Sequence, residues 1–366
     1  MHHKIVALDA WNVPIPESLL QLPAPHTYEL ACQTSQLSST EAIQEAVRDA
    51  TIIATTVTPL KGSTLDVRNT PSLELIVAIA TGTDCIDVEL AAARGIKVVN
   101  CPNANTETVA NHVLAMYFAG RRHLMQLHNT VLRTDEWPKK YSLRSILNDP
   151  EGNPPRTCTD ETVGVVGYGA IGERRLSFGD SFSILFFANR DGKGRRIAEL
   201  CRSLGMKVLI AARKGASASA DRVPFTQVLA QSSVVVLCVP RGPDTLHLIS
   251  APELHAMPRH ALLLNVSRGG IVDEEALLAA LRAGTIGGAA TDVFLQEPSA
   301  AGPFWKEGDS SPLLRVDAAE ADRLNLVVTP HVAWCSTTTF SNYLQAFKRH
   351  VEEWCAKDER RESAIN

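Results

Sequence analysis

The chain has 366 residues, of which 45% are hydrophobic and 21% are charged, and its formal net charge at pH 7 is −4. This length allows two domains with separate cores, and the slightly acidic balance argues against nucleic-acid binding through the bulk electrostatic field. No apolar run reaches the roughly 18 residues of a membrane span, and the first residues lead into a strand without a signal-peptide pattern. The eight cysteines have no metal-ligand spacing, which predicts reduced thiols and no bound metal. Together with the charge and the short apolar runs, this predicts a cytoplasmic protein that binds no metal, no nucleic acid and no membrane.

The first hundred residues alternate short apolar runs with runs of helical periodicity. Strands are predicted at Ile5–Leu8, Tyr28–Ala31, Ile52–Thr55, Leu75–Ala80 and Ile96–Val99, and helices at Thr40–Arg48 and Asp87–Arg94. This alternation of strand and helix predicts a parallel sheet covered by helices. A long amphipathic helix, predicted from Thr106 to Leu127, then leads into a second domain.

The second half of the chain repeats this pattern. Strands are predicted at Val163–Val166, Met206–Ala212, Val234–Cys238, Ala261–Val266, Ile286–Asp292 and Leu326–Thr329, with a helix at Glu274–Arg282. These elements predict a second doubly wound parallel sheet, so the fold class is α/β. A last helix, from Ser336 to Trp354, is predicted to pack back on the first domain.

A glycine motif follows the first strand of this second domain. Gly167, Gly169 and Gly172 have the spacing Gly-x-Gly-x-x-Gly. The first glycine allows a tight turn, the second lets the backbone approach a pyrophosphate, and the third lets the next helix pack on the sheet. A glycine-rich turn in any α/β protein can show the same spacing. The motif indicates a dinucleotide site only because strands are predicted before and after it.

The helix expected after these glycines is interrupted. The second strand ends near Arg213, 41 residues after Gly172, where about 20 residues are typical. Removing the 22 residues Glu173–Gly194 restores a continuous amphipathic helix that stops at Gly205. The segment is a surface excursion, a retained intron or gene-model error, or a regulatory insert; the continuity of the helix favours the second. We expect the chain as written to bind cofactor poorly.

Three residues that suit acid–base chemistry each follow a predicted buried strand: Arg268, Glu297 and His331. The carboxyl ends of parallel strands share one edge of a sheet, so these side chains can converge over a bound cofactor. Arginine offers two parallel donors to a carboxylate, and histidine exchanges a proton near neutral pH. Taken singly, each is more simply a solvated loop charge or a satisfied histidine. Together, behind a dinucleotide motif, they favour reduction of a 2-oxo acid.

Three longer stretches resemble the signatures of the D-isomer-specific 2-hydroxyacid dehydrogenases: Asn265-Val-Ser-Arg-Gly-Gly-Ile-Val-Asp-Glu-Glu-Ala-Leu, Asp292-Val-Phe with Glu297-Pro, and Thr329-Pro-His-Val-Ala-Trp. The run from Gly95 to Thr106 resembles the hinge of that family. The resemblance covers nearly the whole chain except residues 173–194. In two places the chain departs from the family: Ala80 stands where a glycine is frequent, and Asn111 stands where an acid is common.

The resemblance implies a Rossmann nucleotide-binding domain at 102–331, with an atypical insert at 173–194, inside a flavodoxin-like substrate domain formed by 1–101 and 332–366. It implies Arg268, Glu297 and His331 as the catalytic set, substrate-carboxylate binding by the backbone at Thr81 and Gly82, and a homodimer that pairs through the nucleotide domain. It also implies cofactor contacts at Ala170, Ile171, Cys238, Val239, Pro240, Val266, Ser267 and Asp292.

The end of the second strand bears on the choice of nicotinamide cofactor. An NAD site places an acid there, whereas this strand ends in Ala-Ala followed by Arg213 and Lys214. Two cations can pair with a 2′-phosphate, so NADP is predicted over NAD, unless both are plain surface charges. The predicted activity is reduction of a small 2-oxo acid, such as glyoxylate or hydroxypyruvate. The alternatives are a non-catalytic NAD(H)-sensing scaffold and a relative disabled by the insert.

Overall fold

The computed structural model describes residues 1–149, 151–168, 192–219, 221–298 and 310–362, with side chains as far as residue 356. The described chain forms two parallel β-sheets, one of five and one of six strands. The predicted fold class, α/β with two doubly wound sheets, is confirmed. No helix in the described ranges has both the length and the apolar character that crossing a membrane requires.

The first sheet contains β1 (His2–Ala7), β2 (Thr27–Cys32), β3 (Ile52–Thr55), β4 (Leu75–Ala78) and β5 (Lys97–Asn100) in the order β2-β1-β3-β4-β5. All neighbouring strands are parallel. The interior strands β3 and β4 are apolar except for Thr55, as expected for strands covered on both faces, whereas β1 has a polar start at His2–Lys4 and an apolar end. Helices α1 (Thr40–Val47) and α2 (Val88–Ala93) belong to this half.

The other face of the first sheet is covered by the end of the chain. Helix α11 (Thr337–Glu362) places Tyr343, Phe347 and Val351 in one apolar cluster with Ile5 and Ile52. Phe347 and Val351 are fully buried there. The last helix therefore packs on the first sheet, as the sequence predicts.

The second sheet contains β6 (Thr162–Val166), β7 (Lys207–Ile210), β8 (Val234–Leu237), β9 (Leu262–Asn265), β10 (Gly288–Thr291) and β11 (Leu326–Val328) in the order β11-β10-β9-β8-β6-β7. The strand order reverses at β6, which pairs with β7 on one side and β8 on the other. Open α/β sheets bind ligands at the carboxyl ends of the strands beside such a reversal. The glycine motif begins there, at Gly167.

Eight further α-helices lie between β5 and α11 in the described ranges. Some belong to the connection between the two sheets, and the others pack on the second sheet. The connection contains α3 (Thr106–Arg121), α4 (Leu124–Arg133) and α5 (Glu136–Lys140). The sheet carries α6 (Lys193–Ser203), α7 (Phe225–Gln231), α8 (Ala251–Ala256), α9 (Glu274–Arg282) and α10 (Ala318–Arg323). Helices α3 and α6 share one apolar cluster with the strands, built on Val113, Val163 and Ile197.

The prediction of one helix from Thr106 to Leu127 was wrong, because the structure has two helices there. The break is at His123, which has a φ of 46°, in the left-handed region that ends a helix. The residue two places earlier, Arg121, is buried and forms an ion pair with Glu161, 2.6 Å from Nε to Oε1. A continuous helix would satisfy the apolar periodicity equally well, so the periodicity alone did not reveal the turn.

Candidate active site

His331 and Glu297 meet at the carboxyl edge of the second sheet. Nδ1 of His331 lies 2.7 Å from Oε2 of Glu297, and the other carboxylate oxygen accepts a hydrogen bond from the Phe294 amide at 2.9 Å. Burial tends to raise the pKa of Glu297, but the hydrogen bond and charge of His331, the Phe294 amide and the Arg268 charge outweigh it and lower that pKa. The carboxylate therefore stays ionised at neutral pH and fixes the imidazole by its Nδ1 edge. The His331 side chain remains 40% exposed, so its other edge can reach a substrate.

The loop that carries His331 is held by Asp292, which is 1% exposed. Its two carboxylate oxygens accept hydrogen bonds from the amides of Val332 and Ala333, each at 2.9 Å, and from the Thr329 hydroxyl at 2.6 Å. The backbone oxygen of Asp292 accepts from the His331 amide at 2.8 Å. His331 has a positive φ of 54°, and these bonds hold it in that uncommon conformation.

Arg268 reaches from the second sheet to the loop that follows β4 of the first. Its Nε donates to Oδ2 of Asp84 at 3.1 Å, and its Nη1 donates to the Ser267 carbonyl at 2.8 Å. The third nitrogen, Nη2, lies against Gly82, where an added Cβ would overlap it. The predicted substrate-binding residue Gly82 and the predicted catalytic Arg268 are thus in direct contact, although 186 residues separate them.

Thr81, the other predicted carboxylate-binding residue, is fixed in the same loop. Its hydroxyl donates to the side chain of Asn105 at 3.0 Å, and its carbonyl accepts from the Asn100 side chain at 2.7 Å. Both partners lie in the chain segment that leaves the first sheet. The loop is therefore held in place before any substrate arrives.

The start of the glycine motif fits a dinucleotide. Gly167 has a φ of 98°, and a Cβ there would lie 2.6 Å from the carbonyl carbon and oxygen of Cys238 and 2.8 Å from the Val239 amide. Only glycine permits this close approach of two backbone segments at the strand reversal. The other predicted motif residues, Gly169, Ala170, Ile171 and Gly172, lie outside the described residues.

Further predicted cofactor residues surround Gly167 at the ends of β8 and β9. Burial raises the pKa of the Cys238 thiol to about 12, so this side chain stays neutral beside the motif. The Ser267 hydroxyl donates to the Leu237 carbonyl at 2.7 Å and ties the two strand ends together, and Val266 packs in the core below. Pro240 continues the loop after Val239.

Arg213 and Lys214, which are predicted to bind the 2′-phosphate of the cofactor, differ in their surroundings. Arg213 and Lys214 are both exposed after β7, as expected. Lys214, however, forms an ion pair with Glu253, 2.8 Å from Nζ to Oε1, which offsets its charge. A third cation, Arg222, lies nearby, with its guanidinium 5.6 Å from the centre of the Tyr168 ring.

Three residues of the site escaped the sequence reasoning: Asp84, His112 and Lys193. Asp84 contacts Arg268, and His112 lies 3.1 Å from the Thr329 hydroxyl, beside the Asp292 carboxylate. Lys193 is the first residue of α6, and the next residue, Gly194, packs against the Gly167 backbone. The sequence did offer a signal for Asp84, an acid in a loop after a predicted strand, whereas Lys193 fell inside the segment interpreted as foreign.

Comparison with known proteins places these features in one family. The model of the D-isomer specific 2-hydroxyacid dehydrogenase NAD binding domain matches residues 192–333. A glycerate dehydrogenase of Methylorubrum extorquens is 35% identical over 97% of this chain and 97% of its own length. A glyoxylate reductase of Pyrococcus furiosus is 32% identical over 72% of this chain and 67% of its own length.

Solved structures agree with these sequence matches. An NADPH-dependent glyoxylate/hydroxypyruvate reductase of Sinorhizobium meliloti, solved with citrate, aligns with a TM-score of 0.68 and 25% identity, covering 96% of this chain and 94% of that one. A D-lactate dehydrogenase of Aquifex aeolicus, solved with NAD and lactic acid, aligns with a TM-score of 0.70 and 22% identity, covering 98% and 96%. The latter likeness concerns the fold.

Proposed function

Since the chain belongs to the D-isomer-specific 2-hydroxyacid dehydrogenase family, whose NAD-binding domain it contains, we propose that it interconverts a small 2-oxo acid and the D-2-hydroxy acid. The observation that carries this proposal is the hydrogen-bonded pair of His331 and Glu297 at the same sheet edge as Arg268. Relatives named for glycerate and glyoxylate support small substrates such as hydroxypyruvate and glyoxylate.

Each of the three side chains has a distinct task in the reaction. Arg268 binds the substrate carboxylate through Nη2, next to the backbone of Thr81 and Gly82. His331 donates a proton from Nε2 to the carbonyl oxygen during reduction and takes it back during oxidation. Glu297 holds Nδ1 of that ring and stabilises its protonated form. The nicotinamide, when bound, supplies or accepts the hydride.

We propose that NADP is preferred over NAD as the cofactor. No acid follows β7 in the place where an NAD site uses one, and the exposed Arg213 stands there instead. Arginine suits a 2′-phosphate because its guanidinium offers paired donors. The similar reductase of Sinorhizobium meliloti is NADPH-dependent, which supports this proposal.

We also propose the division into a substrate domain, 1–101 with 332–366, and a nucleotide domain, 102–331, that pairs into a homodimer in the cytoplasm. Support for pairing comes from α4, none of whose side chains is buried. Its apolar side chains Leu124, Met125, Val131 and Leu132 are all exposed, and so is Trp137 of α5. Such a surface is typical of an interface between subunits.

The direct test is an assay of NADPH and NADH oxidation with a panel of 2-oxo acids. The chain as written is compared with a variant that lacks residues 173–194. Turnover of small 2-oxo acids by either protein supports the dehydrogenase proposal. Binding of NADPH without turnover of any 2-oxo acid by both proteins would contradict it.

A further inference from the structure

Two histidines and a cysteine meet in the interior beside the first sheet, near the start of β1. One donor atom from each of His3, His26 and Cys355 lies within 4.8 Å of the other two. Nε2 of His3 and Nδ1 of His26 are 2.9 Å apart. The three residues are 3%, 7% and 0% exposed, so solvent hardly reaches them. Imidazole nitrogen and thiolate sulfur are donors that zinc takes in proteins.

The packing of α11 on the first sheet brings His3 and Cys355 to the same place. Ile5 of β1 and Val351 of α11 belong to one apolar cluster. His3 is two positions before Ile5 and lies on the same face of the sheet. Cys355 is four positions after Val351 and lies on the same face of the helix. The two residues therefore continue the contact between strand and helix, one step beyond the apolar core.

His26 reaches this point because the chain before β2 is fastened to the same helix. His26 directly precedes β2, which pairs with β1 along its whole length. Glu352 of α11 accepts a hydrogen bond from the Gln21 amide at 2.7 Å. Lys348, one turn earlier in the helix, donates to the Leu19 carbonyl at 2.8 Å. Three separate parts of the chain are thus held together around the cluster by bonds of their own.

The spacing of the three donor atoms suits a zinc ion. With Zn–N bonds of about 2.0–2.1 Å and a Zn–S bond of about 2.3 Å, tetrahedral donors lie roughly 3.3–3.6 Å apart. The two imidazole nitrogens must separate slightly from 2.9 Å, and the sulfur must move by about 1 Å at most. The thiol loses its proton to solvent as the ion binds. A water molecule completes the four ligands.

We propose that His3, His26 and Cys355 bind a structural zinc ion, which fastens the last turns of α11 to the start of the first sheet. Sequence spacing could not indicate this site, because its members come from both ends of the chain. The site lies at the amino ends of the strands, whereas Thr81 and Gly82 follow the carboxyl end of β4. Zinc binding is therefore independent of the proposed dehydrogenase reaction.

The first experiment titrates the reduced, metal-free full chain with Zn²⁺ in competition with a chromophoric chelator. The parent should bind one zinc ion per chain. His3→Gln and Cys355→Ala should each raise the Kd at least about 100-fold, because each removes a ligand. His2→Gln is the matched control, since it removes an exposed imidazole one position away and should leave the Kd unchanged. A parent that binds no zinc, or equal binding by both ligand variants, would overturn the proposal.

A second measurement on the parent does not depend on whether the ligand variants fold. Co²⁺ in the zinc position gives a sulfur-to-metal charge-transfer absorption only when a thiolate is bound to it. The parent should show this absorption, and so should Cys335→Ser, which removes an exposed thiol elsewhere. Zinc should also raise the Tm of the parent by about 5 °C or more. A parent that lacks the absorption, or retention of the absorption in Cys355→Ala, would refute the assignment.

Discussion

Oε2 of Glu297 lies 2.7 Å from Nδ1 of His331, and it joins the loop after β10 to the loop after β11. The contact holds the imidazole by its Nδ1 edge, while the His331 side chain stays 40% exposed. Because the same contact lowers the pKa of Glu297 against the effect of burial, the two residues act as one unit. Substitutions in this pair and in the residues around it should therefore change the kinetics of the reaction.

Glu297→Gln should lower kcat/KM for 2-oxo acid reduction by about 10- to 100-fold, because the amide no longer stabilises a protonated imidazole. Reduction needs that proton, so the loss should appear in kcat more than in KM. Steady-state kinetics with varied 2-oxo acid check this. Glu275→Gln, an exposed change on α9, should leave kcat/KM unaltered; an unchanged kcat/KM in Glu297→Gln would refute the role given to the carboxylate.

Asp84→Asn should raise the KM of the 2-oxo acid by up to about fivefold and leave kcat nearly unchanged. Asp84 holds Nε of Arg268 at 3.1 Å and thereby points Nη2 at Gly82. The pair is partly exposed, so its contribution is modest. Steady-state kinetics with varied substrate measure the split, and a fall in kcat with constant KM would show that Asp84 does not act through substrate binding.

Arg213→Ser should lower kcat/KM with NADPH by about tenfold or more and change the value with NADH by less than about twofold, because only NADPH carries the 2′-phosphate. Lys214→Ser is the internal comparison. Since Lys214 is already paired with Glu253, its loss should weaken NADPH use less than the loss of Arg213. Equal effects of Arg213→Ser on both cofactors would contradict the proposed preference.

Asp9→Asn should lower the free energy of unfolding by about 1–3 kcal/mol. The buried Asp9 carboxylate accepts hydrogen bonds from the amides of Thr56, Val57 and Thr58 and from the hydroxyls of Thr55 and Thr58, at 2.6–3.1 Å. Burial tends to raise the pKa of Asp9, but these bonds outweigh it and lower the pKa. Urea denaturation measures the change.

The lowered pKa of Asp9 also fixes the sign of a pH effect. Its contribution to stability is full above its ordinary pKa of 3.8 and is lost as the pH falls through the lower, folded-state value. The difference between parent and Asp9→Asn should therefore shrink in acid. Asp49→Asn, on the surface, should change stability by less than about 0.5 kcal/mol at any pH.

Sequence patterns predicted the two sheets because each strand is a short apolar run bounded by turn residues, and this signal depends only on local chemistry. They also predicted the return of α11 and the meeting of Arg268, Glu297 and His331, since parallel strands end at one edge. The break at His123 could not be predicted in this way, because a buried ion pair between Arg121 and Glu161 is a long-range contact. The contact of Asp84 with Arg268 is likewise tertiary and has no periodic signature.

The position of α11 has a consequence for how the protein is made. The core of the first sheet is closed by Tyr343, Phe347 and Val351, whereas its strands end at Asn100. At ordinary elongation rates, about 10 to 50 s pass between synthesis of these two parts on the ribosome. Throughout that interval the apolar face of β1, β3 and β4 lacks its cover. The nascent first sheet therefore exposes apolar surface until α11 has been made.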